Sequence, residues 1–330
     1  MRSLVLVLVI ALGACKPADD QPQLDTPDAA PVTVDEVGLK PPDHGFQIVS
    51  PTIEIKPGAE VTYCYYFHTP NTVDMSIKQW ASHMTPGSHH LILYLTPTDQ
   101  QTAGTLSTSQ CGISNGTTGP VWTYSAQLPD TDAKLPADDG TGTPVGQVIK
   151  AGQSGFLQMH YLNASDTTLR VHVALNAYAY PEGTRITPAA PFVTFNRQIL
   201  LMPGSPAVPY RSMVSGTCTV PVDGAAPPKF YVMTTHTHKQ GVHTFVKDGA
   251  TTLFDSTSWE HPGTATWDRT PFYTFTSGAL TYQCEYANPN GYTIQTGDSA
   301  KDEEMCMAIG YYFPAVAGTG HYCLNSALVY

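Results

Sequence analysis

The sequence predicts an all-β protein made of two tandem antiparallel β-sandwich, jelly-roll-like domains. Three observations carry that prediction. Charged residues are only 13% of the chain, while Gly and Pro number 27 and 28, a turn-rich and charge-poor composition. No long stretch repeats its apolar residues at helical spacing. Short runs rich in Val, Tyr, Phe and Thr recur between turn residues. They are "VTYCYYF", "HHLILYL", "GFLQMHYLN" and "LRVHVALNAYAY" in the first half, then "FYVMTTHTH", "VHTFVKDG", "ALTYQCEY" and "AIGYYF" in the second. A chain of 330 residues is long enough for two domains with ample cores.

The N-terminus reads as targeting rather than fold. "MRSLVLVLVIALGAC" has one Arg and then an apolar run from Leu4 to Ala14, too short for an ordinary membrane-spanning helix. Leu12-Gly13-Ala14-Cys15 resembles the lipobox of bacterial lipoproteins. That resemblance implies a signal peptide over residues 1–14, lipidation of Cys15, and a place in the bacterial cell envelope, facing the periplasm or the exterior. The lipid is then the only membrane contact. A plain secretory signal peptide is the alternative, and either way the mature chain works outside the cytoplasm. Between Lys16 and Pro42 there are six Pro, five Asp and almost no aromatic residue, so residues 15–44 read as a disordered tether.

The folded part is expected from Gly45, with one sandwich over residues 45–200 and a second over 201–330. The boundary is set near residue 200, where "FNRQILLMPGSPAVPYRS" turns Pro-rich. "RVHVAL" alternates, with Val171, Val173 and Leu175 on one face and Arg170, His172 and Asn176 on the other. "HTFVKDGATTLFD" reads as a hairpin turning at Asp248-Gly249. A net charge of −11 with no basic stripe argues against nucleic acid as a partner.

Seven cysteines are present, and setting Cys15 aside leaves six. An even number in an exported chain points to disulfides, and no C-x-x-C spacing points to zinc or thioredoxin-like chemistry. Spacing alone leaves about 15 connectivities. The gap from Cys111 to Cys218 suggests one bridge in the first half and two in the second.

Twelve histidines are many for this length. His236 and His238 share one face of a predicted strand, which suits a metal, although paired histidines also occur without function. His89 and His90 are adjacent, so a strand end or bulge is needed to bring both to one side. His160 lies in the strand "GFLQMHYLN". His172 falls on a polar face, and His44, His68, His83, His261 and His321 lie beside turns or strand ends. His243, in the hairpin after the His-Thr-His pair, is at most a supporting group.

"SHHLILY", then "FLQMHY" about 70 residues later, then "THTH", then "DEEMC" follow the ligand order of a known family. Over residues 45–330 the chain resembles the copper type II, ascorbate-dependent monooxygenases, which include peptidylglycine α-hydroxylating monooxygenase and dopamine β-monooxygenase. Each motif is modest alone; order and spacing together carry the resemblance. It implies two coppers per chain, one in each domain, facing each other across a cleft. His89, His90 and His160 are the implied ligands of the first, and His236, His238 and Met305 those of the second, where hydroxylation takes place. Imidazole suits both oxidation states of copper, and a thioether favours Cu(I). Met307 is a rival to Met305, because i and i+2 share a face.

The resemblance also implies the disulfides Cys64–Cys111, Cys218–Cys323 and Cys284–Cys306, the last beside Met305. It implies a monomer that takes dioxygen, a small organic substrate hydroxylated at an aliphatic or benzylic C–H, and ascorbate or another one-electron reductant. The chain departs from the peptide-amidating branch where substrate is read. Thr234 stands where that branch has Arg, Ile309 where it has Tyr, and Met307 where it has Asn, which argues against peptide amidation. Two non-enzyme readings stand beside this one: an exported copper-binding or storage lipoprotein without turnover, and a structural surface lipoprotein.

Overall fold

The computed structural model describes residues 37–109, 111, 119–224 and 226–329. The expected signal peptide, Cys15 and most of the expected tether lie outside the described residues. The strand runs of the sequence are nearly unbroken in apolar residues because the central strands are covered on both faces. In the strand Ser154–Leu162, Leu157, Met159 and Tyr161 enter the N-terminal core beside Leu91, Leu93 and Leu95 of the strand Ser88–Leu95. The alternate residues point the other way. Phe156, with Ile92 and Tyr94, joins Val193, Met307, Ile309 and Tyr322 of the C-terminal half in a second cluster. The strand Cys306–Phe313 behaves likewise, sending Cys306, Ala308 and Tyr312 into the C-terminal core and Met307 and Ile309 into the shared cluster. Each half therefore presents one sheet face to the other.

The fold is all-β, with several sheets and no closed barrel. Strands within residues 45–188 pair only with one another, in a six-stranded, a five-stranded and a two-stranded sheet. The five-stranded sheet centres on Ser154–Leu162, between Glu60–His68 and Ser88–Leu95. Strands from Ala190 onward form a six-stranded, a four-stranded and a two-stranded sheet. In the first of these Ala190–Phe195, Cys306–Phe313 and Lys229–Thr237 lie side by side. Among the described residues, pairing between strands is antiparallel except at Thr187–Pro188 beside Val145 and Gly146, and at Ala190–Phe195 beside His321–Leu324, and one isolated bridge, Thr296 to Glu304, is also parallel.

Three details differ from the sequence reading. The change of sheet falls between Pro188 and Ala190 rather than near residue 200, because "APFVTF" is an apolar strand of the second half and the Pro-rich stretch is a loop within it. Among the described residues, packing already includes segments before Gly45: Val37 is buried, and the carbonyls of Leu39 and Lys40 accept hydrogen bonds from Gln47 and Asn176 at 2.7 Å each. Two side-chain amides thus satisfy backbone that composition marks as tether. "RVHVAL" also divides at His172, with Leu169–Val171 in the two-stranded sheet and Val173–Ala179 in the six-stranded one.

The hairpin does turn after Asp248, which pairs with Thr251 while Gly249 takes φ +55°, where a glycine carries no side-chain penalty. Disulfides join Cys64 to Cys111, Cys218 to Cys323 and Cys284 to Cys306, the pairs that the resemblance implies. They point to an oxidising compartment. Among the described residues no helix is long and apolar enough to cross a membrane.

Candidate metal centre

Register builds the first group of histidines. His160 lies opposite His90, but the next residue, Tyr161, lies opposite Ser88. His89 is the extra residue of a β-bulge, which turns two adjacent side chains to one side. The ring centroids of His89, His90 and His160 are 5.0 to 5.3 Å apart, and one ring nitrogen from each lies within 4.8 Å of the others. Three imidazoles so placed could hold a single ion.

The second group lies on the facing sheet. His236 and His238 share a face, with centroids 5.2 Å apart. His236 pairs with Met307 and Thr237 with Cys306, which brings Met305 level with His238. Both thioethers therefore flank the pair, and both line the same cavity as His236. Met305 is fixed by its neighbours: the Cys284–Cys306 disulfide follows it, and Tyr286 Oη donates to its carbonyl at 2.9 Å.

The two groups are not separated by a gap. His236 stacks edge-on against His90 with centroids 5.5 Å apart, and lies 6.5 Å from His89. The five imidazoles form one continuous cluster where the sheets meet, instead of two sets facing across a cleft. The cavity of about 810 Å³ opens beside it, lined by His90, His236 and Met305 among others.

Charged and polar neighbours hold this cluster from outside. Glu60 accepts from His160 Nε2–H at 2.9 Å, which directs Nδ1 of that ring inward. The same carboxylate accepts from Ser299 Oγ at 3.0 Å and from the Ala300 N–H at 2.7 Å, tying the first half to the second. Burial pushes the Glu60 carboxyl up, but its hydrogen bonds from His160 and Ser299 outweigh burial and hold it at about 2. His238 Nδ1–H donates to the Glu303 carbonyl at 3.1 Å, leaving Nε2 free. His236 Nδ1 lies 2.7 Å from the side-chain amide of Gln127. As placed, Gln127 Nε2–H donates to Nδ1; turning the amide so that its oxygen faces the ring would let Nδ1 donate and leave Nε2 its lone pair.

The donor set fits a soft or borderline metal. His89 Nε2, His90 Nδ1 and His238 Nε2 are buried without a hydrogen-bond partner, and buried polar atoms are normally paired. Burial also keeps the rings neutral, the form that ligates. It depresses His89 to about 4 and His238 to about 3, and lowers His90 and His236 well below the usual range, with neighbouring imidazoles adding to the effect. His243 is not part of the cluster; it pairs with Asp255 at 2.8 Å and Glu285 at 3.4 Å. Trp259, which the sequence did not single out, stacks at 5.6 Å from His89.

Glu60, Gln127 and Glu304, whose carboxylate accepts from the His238 N–H at 2.9 Å, are neighbours of the cluster that the sequence analysis did not single out. Glu60 and Gln127 reach their partners across 240 and 109 residues, so no local signal marks them. Glu304 adjoins Met305, and its position in "EEMC" was the one available cue. Removing Glu60 tests its role directly. Glu60→Ala is expected to weaken metal at His89, His90 and His160 by about 10- to 100-fold, measured against a competing chelator. Unchanged affinity would show that the carboxylate does not orient His160.

No known family profile matches the chain, and no curated protein does.

Proposed function

We propose that the chain is an exported, copper-dependent monooxygenase that hydroxylates a C–H bond of a small organic substrate. One observation carries the reading: neutral, buried imidazoles with unpartnered ring nitrogens stand beside methionine thioethers at the wall of a substrate-sized cavity. His89, His90 and His160 would hold one copper, and His236, His238 and Met305 the other. Copper at such ligands supplies one-electron redox chemistry and activation of dioxygen, with ascorbate or another one-electron reductant as the electron source. The chain's own residues do the rest. Glu60 and Gln127 orient rings, the shared apolar cluster excludes water, and the cavity places the substrate against the His236 side. Thr234, Ile309 and Met307 all line that cavity, so position 234 offers no Arg to clamp a peptide carboxylate. Lipidation of Cys15 would tether the enzyme in the cell envelope.

A second reading, copper binding or storage without turnover, is favoured by the depth of the ligands: His160 is 1% exposed and His238 fully buried. The two readings separate in one experiment. Copper-loaded chain should carry two coppers. His160→Ala should weaken one, Met305→Ile the other and Met307→Ile neither, and ascorbate should drive oxygen consumption. Two coppers without oxygen consumption would favour storage. Zero or one copper, or two that ignore these substitutions, would remove both readings.

A further inference from the structure

We infer that the cavity takes an uncharged, largely aromatic small molecule carrying a hydrogen-bond acceptor, which Trp122 and Tyr311 read. This deepens the proposed function by naming its substrate class, and it rests on that reading for the claim that the ligand is a substrate. Binding itself requires no copper.

Size comes first. About 810 Å³ is room for a molecule of two or three rings. The walls are aromatic and aliphatic, built by Tyr231, Tyr322, Val193, Met307 and Ile309 with Trp122. Charge comes second. Apart from His90, His236 and His261, the acidic and basic side chains on the lining are Asp132, Lys134, Arg197, Asp268 and Asp298, all of them exposed. None offers a buried counter-charge, so an ion entering the apolar part would lose its hydration without a partner.

Polarity comes third, and it is specific. Trp122 is 5% exposed, and its Nε1–H is buried with no acceptor. An indole N–H can only donate, so whatever completes it must accept. Tyr311 Oη is likewise buried with no hydrogen bond at ordinary distance; the Ser125 hydroxyl stands as a longer-range partner. Both residues line the cavity. The indole is also held rigidly. Its backbone N–H donates to Tyr322 Oη at 2.7 Å, that hydroxyl donates to the Pro120 carbonyl at 2.8 Å, and Tyr94 packs edge-on at 5.6 Å. Rigid, unpaired donors in an apolar wall discriminate strongly for a ligand that satisfies them.

Equilibrium dialysis of the metal-free full chain tests this with four probes of one shape: 4-acetylbiphenyl, 4-ethylbiphenyl, biphenyl-4-carboxylate and 4-phenylbenzylamine. The ketone should bind at least about tenfold tighter than the other three, the worth of one good hydrogen bond. Trp122→Phe and Tyr311→Phe should each weaken the ketone about 5- to 10-fold and leave 4-ethylbiphenyl unchanged. If one variant fails to fold by circular dichroism, the other carries the test. The inference is overturned if the carboxylate or the amine binds as tightly as the ketone. It is also overturned if the ketone does not bind at its solubility limit, or if folded variants bind it like the parent. Because no metal is present, these outcomes are independent of copper stoichiometry, and failure of the copper reading leaves them standing.

Discussion

Glu304→Ala should lower the free energy of unfolding by about 3 kcal/mol or more, read as a drop in the urea midpoint at constant slope. Glu304 is fully buried, and its carboxylate serves backbone donors around the second group of ligands. Oε2 accepts from the N–H groups of His238 and Met305 at 2.9 and 3.2 Å, and Oε1 from Gln240 N–H at 2.6 Å. Alanine leaves three buried donors without an acceptor, each costing about 1–3 kcal/mol. Burial raises this carboxyl to about 7 against the pull of those hydrogen bonds, so the fold tolerates a desolvated acid in order to fix this turn. Glu304→Gln keeps one acceptor oxygen but turns an amide NH₂ toward a donor, so it should fall between. Copper at His236, His238 and Met305 should be lost in the alanine variant while the His89, His90 and His160 site is kept. A loss of stability under 1 kcal/mol would mean that water or a shifted backbone replaces the carboxylate at no cost.

What could be read from the chain follows the reach of each signal. Strand periodicity is local, so the runs around His89, His160 and His236 read as strands. The i, i+2 rule puts His236 and His238 on one face, and the adjacent pair His89-His90 demands an irregularity, which the register supplies as a bulge. Contacts that bridge the two halves were not legible. Glu60 holds Ala300 across 240 residues, and nothing in "AEVTYCYYF" distinguishes that Glu from a solvated strand end. The joining of five imidazoles into one cluster was hidden for the same reason, since periodicity gives a face but not what covers it. The change of sheet at Ala190 was misplaced because proline-rich composition marks any exposed loop, not only a linker.

Between pH 7 and 5 the metal-free chain should lose stability steeply, and the sign follows from which state binds more protons. His89, His90, His236 and His238 all titrate below the ordinary imidazole value of 6.5, chiefly because they are buried. Below 6.5 the unfolded chain protonates these rings while the native cluster does not, so stability falls as pH falls. At pH 5 each ring that stays neutral costs about 2 kcal/mol relative to neutral pH. Glu304 works in the opposite direction. Its native value near 7 lies above that of the unfolded chain, so the native state takes up a proton in this window and about 2 kcal/mol is returned. The surface pair His243–Asp255 adds to that side, but solvent screens it. Four rings against one carboxyl leave a net loss of roughly 6 kcal/mol as an upper figure. Glu60, held at about 2, adds a further loss only below about 4.5. Copper should oppose the fall near neutral pH and release it in acid, as protons compete for the same nitrogens. Melting temperature measured from pH 7.5 to 4.5, with and without copper, decides the matter. A flat metal-free profile would mean that the imidazoles are open to water and already charged, and the closely packed cluster could not then describe the chain in solution.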